Sequence, residues 1–196
     1  PSSLRKDIIC SLLASSIPVD EIKEFSGLKQ MNRKSYLSKE EFRNFYSILE
    51  TERDRIIVSL FYETGLNLRE LSGLKTENLD LKTGKIKISQ DSRFSKKIRQ
   101  SRISKTLSQA ISRYLSSARP SSGFLFPSRQ SSRLSERRIE QILKGYSENY
   151  SKSYHTSKSI TSTVLRNSFI AHNSSYITSQ DKKEIAQDTG LSALRI

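Results

Sequence analysis

The sequence predicts a mainly helical chain with a small antiparallel β-sheet, an α+β fold, and three observations carry that prediction. Apolar residues recur at helical spacing in several stretches that open on capping residues and close on glycine or a proline break. One stretch, Lys85 to Ile88, alternates with period two after a Lys-Thr-Gly turn, and Ile98 to Ile103 offers it a partner strand. At 196 residues the chain is long enough to bury a core, while 34% hydrophobic content and frequent serine predict polar surfaces and loops.

Taken in order, residues 1–32 place Leu4, Ile8, Leu12 and Leu13 at helical spacing, and Pro18 opens a second short helix that stops at Gly27. A weak repeat links this segment to the C-terminal end: Leu4-Arg5 matches Leu165-Arg166, Glu21-Ile22 matches Glu184-Ile185, and Gly27-Leu28 matches Gly190-Leu191. A partial duplication and a chance likeness between two helix-turn-helix units both fit it. The chain therefore divides into an N-terminal helical segment, 1–32, and a main domain, 33–196.

In the main domain, Ser38 with Glu41 three residues on reads as a capping box ahead of Phe42, Phe45 and Leu49. Thr51 caps the next helix, whose apolar side is Ile56, Ile57, Leu60 and Phe61, and Gly65 ends it. Beyond the strands, Leu107, Ile111 and Leu115 mark a helix over 105–118 that breaks at Pro120. Gly123 to Pro127 is an apolar segment, and Leu134 to Leu143 a further helix. Residues 146–159, with Tyr146, Tyr150, Tyr154 and His155, are low in apolar content and read as an irregular, mobile connector. Ile160 to Asn173 is a polar approach followed by an amphipathic helix.

Lys plus Arg number 34 against 20 Asp plus Glu, a net charge of +14, and the isoelectric point lies near 10.0. That balance predicts a polyanionic partner, nucleic acid ahead of an anionic membrane, because the charges are spread over several elements rather than gathered on one helix. No run approaches the ~20 apolar residues of a spanning helix and no signal layout opens the chain, so an intracellular, unsecreted protein is expected. Cys10 is the only cysteine and His155 and His172 the only histidines, which leaves no disulfide and argues against a zinc site.

Two stretches carry a family resemblance. The run Glu63 to Leu81, ETGLNLRELSGLKTENLDL, and the run Ile160 to Asn173, ITSTVLRNSFIAHN, resemble the first and second signature boxes of the tyrosine recombinases and phage-type integrases. Thr64, Gly65, Leu66, Glu70, Leu71, Leu74 and Leu79 fall in register in the first; Leu165-Arg166, Ser168-Phe169 and Ala171-His172 do so in the second. The resemblance implies that family's catalytic-domain fold and double-stranded DNA as partner. It implies a metal-independent chemistry, with no cofactor and no small-molecule substrate, in which arginine forks hold a phosphodiester attacked by tyrosine.

The chemical positions depart from the pattern. Asn67 stands at the first arginine's place, Thr163 at the histidine's and Leu191 at that of the third box's histidine, while Arg166 is retained. Arg69 lies two residues past Asn67, about 200° around a helix, and so faces elsewhere unless a shifted helix start lets it substitute. The family's hairpin lysine overlays Phe94, which leaves Lys96 as the substitute general acid, and the tyrosine's place falls beyond Ile196. Expected DNA contacts are Arg69, Arg93, Lys96, Lys97, Arg99, Arg102, Arg133, Arg137, Arg138, Lys158 and Arg166.

The expected function is DNA binding, sequence-specific or architectural, by a degenerate and inactive recombinase fold. Two alternatives stand beside it. One is an active recombinase whose nucleophile lies outside this sequence or comes in trans; the other is a regulatory subunit that associates with itself or with a partner recombinase.

Overall fold

The computed structural model describes residues 35–92, 95–118, 123–128 and 132–174. The N-terminal segment, and with it one half of the proposed repeat, lies outside the described residues, as do Arg93, Phe94 and Leu191.

Local chemistry sets the first helices. Ser38 Oγ accepts from the Glu41 N–H at 3.1 Å and the Glu41 carboxylate accepts from the Ser38 N–H at 2.6 Å, a reciprocal box that starts α1 (Lys39–Ser47). Thr51 Oγ1 caps α2 (Glu52–Thr64) by accepting from the Asp54 N–H, and Gly65 closes it with φ 61°, a left-handed value that glycine adopts without strain. A tight link then starts the short α3 (Leu68–Ser72).

The sheet is antiparallel, in the order β1 (Leu79–Asp80), β2 (Lys85–Ser92), β3 (Ser95–Arg102). Its β1–β2 turn needs Gly84 twice over: φ is 68°, and a Cβ would come within 2.9 Å of the Ile103 carbonyl oxygen. Three further helices follow, α4 (Lys105–Ala118), α5 (Glu136–Ser153) and α6 (Ser162–Ser174). The fold is therefore mainly helical with one small sheet, as its periodicities predict.

Helix α2 is the axis of the core, packing on both α6 and α4. Its Ile57, Leu60 and Phe61 are fully buried with Phe45, Leu71, Ile86, Ile111, Leu125 and Leu165. The apolar segment at 124–126 docks by main-chain bonds, Leu125 N–H to the Leu74 carbonyl and Leu134 N–H to the Phe126 carbonyl, both 2.8 Å. No helix among the described residues is long and apolar enough to cross a membrane.

The reading of 146–159 as a connector is corrected here. Residues 146–153 are the last turns of α5, which is 18 residues long. Tyr150 is 3% exposed and meets Phe45 edge-on with ring centroids 5.8 Å apart. The Tyr146 hydroxyl donates to the buried Asp54 carboxylate at 3.0 Å, and Ser147 Oγ accepts from the Ile160 N–H at 2.7 Å. Ile139, Leu143, Tyr146, Ser147 and Tyr150 keep helical spacing, but rings and a hydroxyl take the places where aliphatic residues would announce it. Only 154–161 is irregular, and there His155 is exposed with φ 49°.

Candidate nucleic-acid interface

Helix α6 is tied into the domain by its own polar side chains. Ser168 Oγ accepts from the Leu37 N–H at 2.8 Å and donates to the Val164 carbonyl at 2.7 Å, fully buried. Asn167 Nδ2 donates to the Ser35 carbonyl at 3.0 Å, so this side chain straps α6 onto the segment before α1. His172, five residues past Asn167, lies 2.7 Å through Nδ1 from the Tyr62 hydroxyl, and Tyr62 stacks on Phe42 at a centroid distance of 3.5 Å.

These anchors hold Arg166 half-buried on the first turns of α6. Burial pushes its guanidinium below the ordinary arginine value, Glu70 pulls it up and Arg99 pushes it down, so those two charges are its electrostatic neighbours. It stays cationic at any physiological pH. Thr163, three residues earlier, is exposed and offers a hydroxyl with no proton exchange near neutrality.

Asn67 has been given other work. Its side chain accepts from the Glu70 N–H and the Glu70 carboxylate accepts from the Asn67 N–H, both at 2.8 Å, so it is the N-cap of α3. With the helix start fixed at Leu68, Arg69 is exposed on the outer side, and no shifted start brings it to the place of Asn67.

Two expected DNA contacts are corrected. Arg99 points inward: its side chain is 4% exposed, Nη2 bonds Glu70 Oε2 at 3.0 Å and Nη1 reaches the Thr64 carbonyl at 3.4 Å. The physical reason is register. Ile98 and Ile103 are five apart and so lie on opposite faces of a strand; Ile103 is buried and Ile98 is 69% exposed, which turns Arg99 and Ser101 to the core. Lys158 is the second correction, since its ammonium lies 2.9 Å from both Glu41 oxygens and its side chain is only 9% exposed. It fastens the approach to α6 onto the start of α1.

The remaining basic residues are distributed over the surface. Arg102, Arg133, Arg137 and Arg138 are exposed; Arg133 lies over the Phe124 ring at 5.8 Å and Arg138 donates to Gln141 at 3.2 Å. Lys96 and Lys97 pair across the hairpin with Asp91 and Gln90 at the backbone, and their side chains lie outside the described residues. Sequence reading missed the Glu70–Arg99 pair; the five-residue spacing of Ile98 and Ile103 was the signal that could have found it.

The fold is that of the catalytic domain of tyrosine recombinases. A crystal structure of XerA recombinase superposes with a TM-score of 0.69 at 24% identity, over 81% of this chain and 57% of that one. The Tn1549 transposon integrase, solved in complex with transposon right end DNA, superposes with a TM-score of 0.70 at 16% identity, over 84% and 60%. The phage integrase family model matches residues 35–182, and the chain belongs to that family. Tyrosine recombinase XerC of Syntrophus aciditrophicus is 33% identical over 131 residues, 61% of this chain and 40% of that protein. Tyrosine recombinase XerA of Thermococcus kodakarensis is 33% identical over 143 residues, 69% and 47%. The chain spans less than half the length of these two relatives.

The His172 cluster gives α6 a pH dependence. Burial pushes the imidazole below its usual value near 6.5 and Lys39 adds to this, while a bond to the Leu37 backbone opposes them. With the folded value depressed, the unfolded chain binds more protons just below pH 6.5, so this contribution is complete above that pH and is lost as pH falls. Unfolding free energy by urea titration is expected to decline from about pH 6.5 toward 5. His172→Gln should flatten that decline, and an unchanged slope would exclude His172 as its source.

Proposed function

We propose that this chain binds duplex DNA through a basic face on which Arg166 grips a backbone phosphate, and that it no longer performs the family's covalent chemistry. Its role is sequence-specific or architectural binding in DNA recombination or integration. The observation that carries this reading is the contrast among three positions that the family resemblance aligns with chemical groups. Arg166 is kept, half-buried and built into α6; Asn67 is committed to capping α3; Thr163 is exposed and cannot exchange a proton near neutral pH.

A net charge of +14 and the exposed Arg69, Arg102, Arg133, Arg137 and Arg138 support a phosphate-reading surface. The DNA-bound state of the Tn1549 integrase, a structural neighbour, supports the same partner. Losing the fork at position 67 removes charge stabilisation as the phosphodiester is attacked, and losing the histidine removes a proton carrier.

Affinity for duplex DNA is expected to fall steeply with salt, and Arg166→Ala to reduce the slope of log K against log salt by about one. Affinity indifferent to salt would sink the basic-face reading. On a suicide substrate the chain should form no covalent protein–DNA adduct; an adduct would instead establish an active recombinase.

A further inference from the structure

The sheet has two faces of opposite character. Ile86, Ile88, Arg99 and Ser101 turn to the core, so Lys85, Lys87, Gln100 and Arg102 stand on the other face, all four exposed. Ile98 shares that face and is 69% exposed, so among the described residues the face is open to solvent.

Strand register brings its cations together. Lys85 is paired directly with Arg102, and Lys87 with Gln100. Opposed residues hold their Cβ atoms about 4.5–5.5 Å apart, and Lys87 follows Lys85 along β2 at about 7 Å. Two like charges directly opposite cost stability rather than add to it. Nor does Lys85 guard a sheet edge, since β1 sets Asp80 on one side of it and β3 sets Arg102 on the other. Both oxygens of Asp80 accept from Thr83, at 3.1 Å from the N–H and 2.6 Å from the hydroxyl, and Lys85 acts on that carboxylate as a nearby charge. Among the described residues, no ion pair or side-chain hydrogen bond engages Lys85, Lys87 or Arg102.

We propose that this outer sheet face, with Lys85, Lys87 and Arg102 and with Gln100 beside them, is a second contact with the DNA phosphate backbone, additional to Arg166. Duplex DNA presents one negative charge per about 1.7 Å of its axis, so a patch of this size meets several phosphates. Lysine and arginine need only lie near them to release counterions, and the Gln100 amide can donate to a phosphate or sugar oxygen. The repulsion between Lys85 and Arg102 is relieved in the complex and not in the free protein. The inference rests on duplex DNA as the partner and does not depend on the role of Arg166.

The test is the slope of log K against log salt for a short random-sequence duplex, measured on the full chain. Lys85→Gln and Lys87→Gln should each reduce the slope by about one and together by about two, since each contacted phosphate contributes about 0.9. Arg113→Gln removes the same charge from α4, where Arg113 pairs with Glu52 at 3.2 Å, and should leave the slope unchanged. An unchanged slope in both lysine variants would overturn the proposal. So would an equal reduction in Arg113→Gln, because net charge and not this face would then govern binding.

Two further readings separate binding from folding. Lys85→Arg and Lys87→Arg keep the charge and should keep the slope; a reduction as large as that of the glutamine variants would overturn the proposal. Without DNA, Lys85→Gln should unfold at the same urea concentration as the parent or a higher one, because it removes one of two opposed cations. A lower midpoint with an unchanged slope would make Lys85 a structural residue and overturn its place in the contact. Arg166→Ala should add its own reduction to that of Lys87→Gln, as for independent sites. If Arg166→Ala alone leaves the slope unchanged while the lysine variants reduce it, the reading of Arg166 fails and the sheet face stands.

Discussion

Glu70→Ala is expected to cost about 3–5 kcal/mol of folding stability, the range for removing one partner from a buried ion pair. The carboxylate is 3% exposed and the Arg99 side chain that it neutralises is 4% exposed. Deleting the acid strands a guanidinium that cannot shed its proton and that water cannot reach without opening the sheet from α3. The acceptor for the Asn67 N–H disappears as well, so the α3 cap is halved at the same stroke. Chemical denaturation at neutral pH measures the loss. A change below about 1 kcal/mol would show that the pair is open to solvent. Replacing both partners by apolar residues should be far milder than removing one, since no lone charge remains.

Tyr150→Ala is expected to cost about 3–5 kcal/mol, as for large aromatic residues truncated in a core. The same substitution in a solvated connector would stay within about 0.5 kcal/mol, so the experiment separates the two descriptions of 146–153 by a wide margin. The ring is 3% exposed, meets Phe45 edge-on and stacks on Tyr154 with centroids 4.8 Å apart. Burial also pushes its phenol above the ordinary tyrosine value. Tyr150→Phe, which keeps the ring, should cost much less than the alanine change. If both variants unfold at the same denaturant concentration as the parent, Tyr150 is not a core residue.

Much of the domain was legible before any coordinates. Cap signals are local, because a serine and a glutamate three residues apart satisfy each other's backbone donors whatever surrounds them, and Ser38–Glu41 does so here. Gly65 and Gly84 were equally legible, since left-handed backbone selects glycine by sterics alone. The family resemblance was read from scaffold positions such as Leu66, Leu71, Leu165 and Phe169, all of them buried.

What escaped sequence reading shares one property: it depends on what lies across the domain. Tyr146 and Tyr150 read as polar connector residues until Asp54 and Phe45 are placed opposite them. Arg99 and Lys158 read as solvent-facing cations until strand register and the α1 start bring Glu70 and Glu41 against them. A basic side chain carries no mark of its partner, and the attraction that buries it acts between residues 29 and 117 positions apart.

The helical framework, the small sheet and the family resemblance all follow from the order of residues along the chain. Which cations face outward, and which turn inward onto a carboxylate as Arg99 does, is set by tertiary contacts. Helix caps and periodicities are set by neighbours in the chain, whereas the direction of a guanidinium is set by the carboxylate that folding brings within 3.0 Å of it.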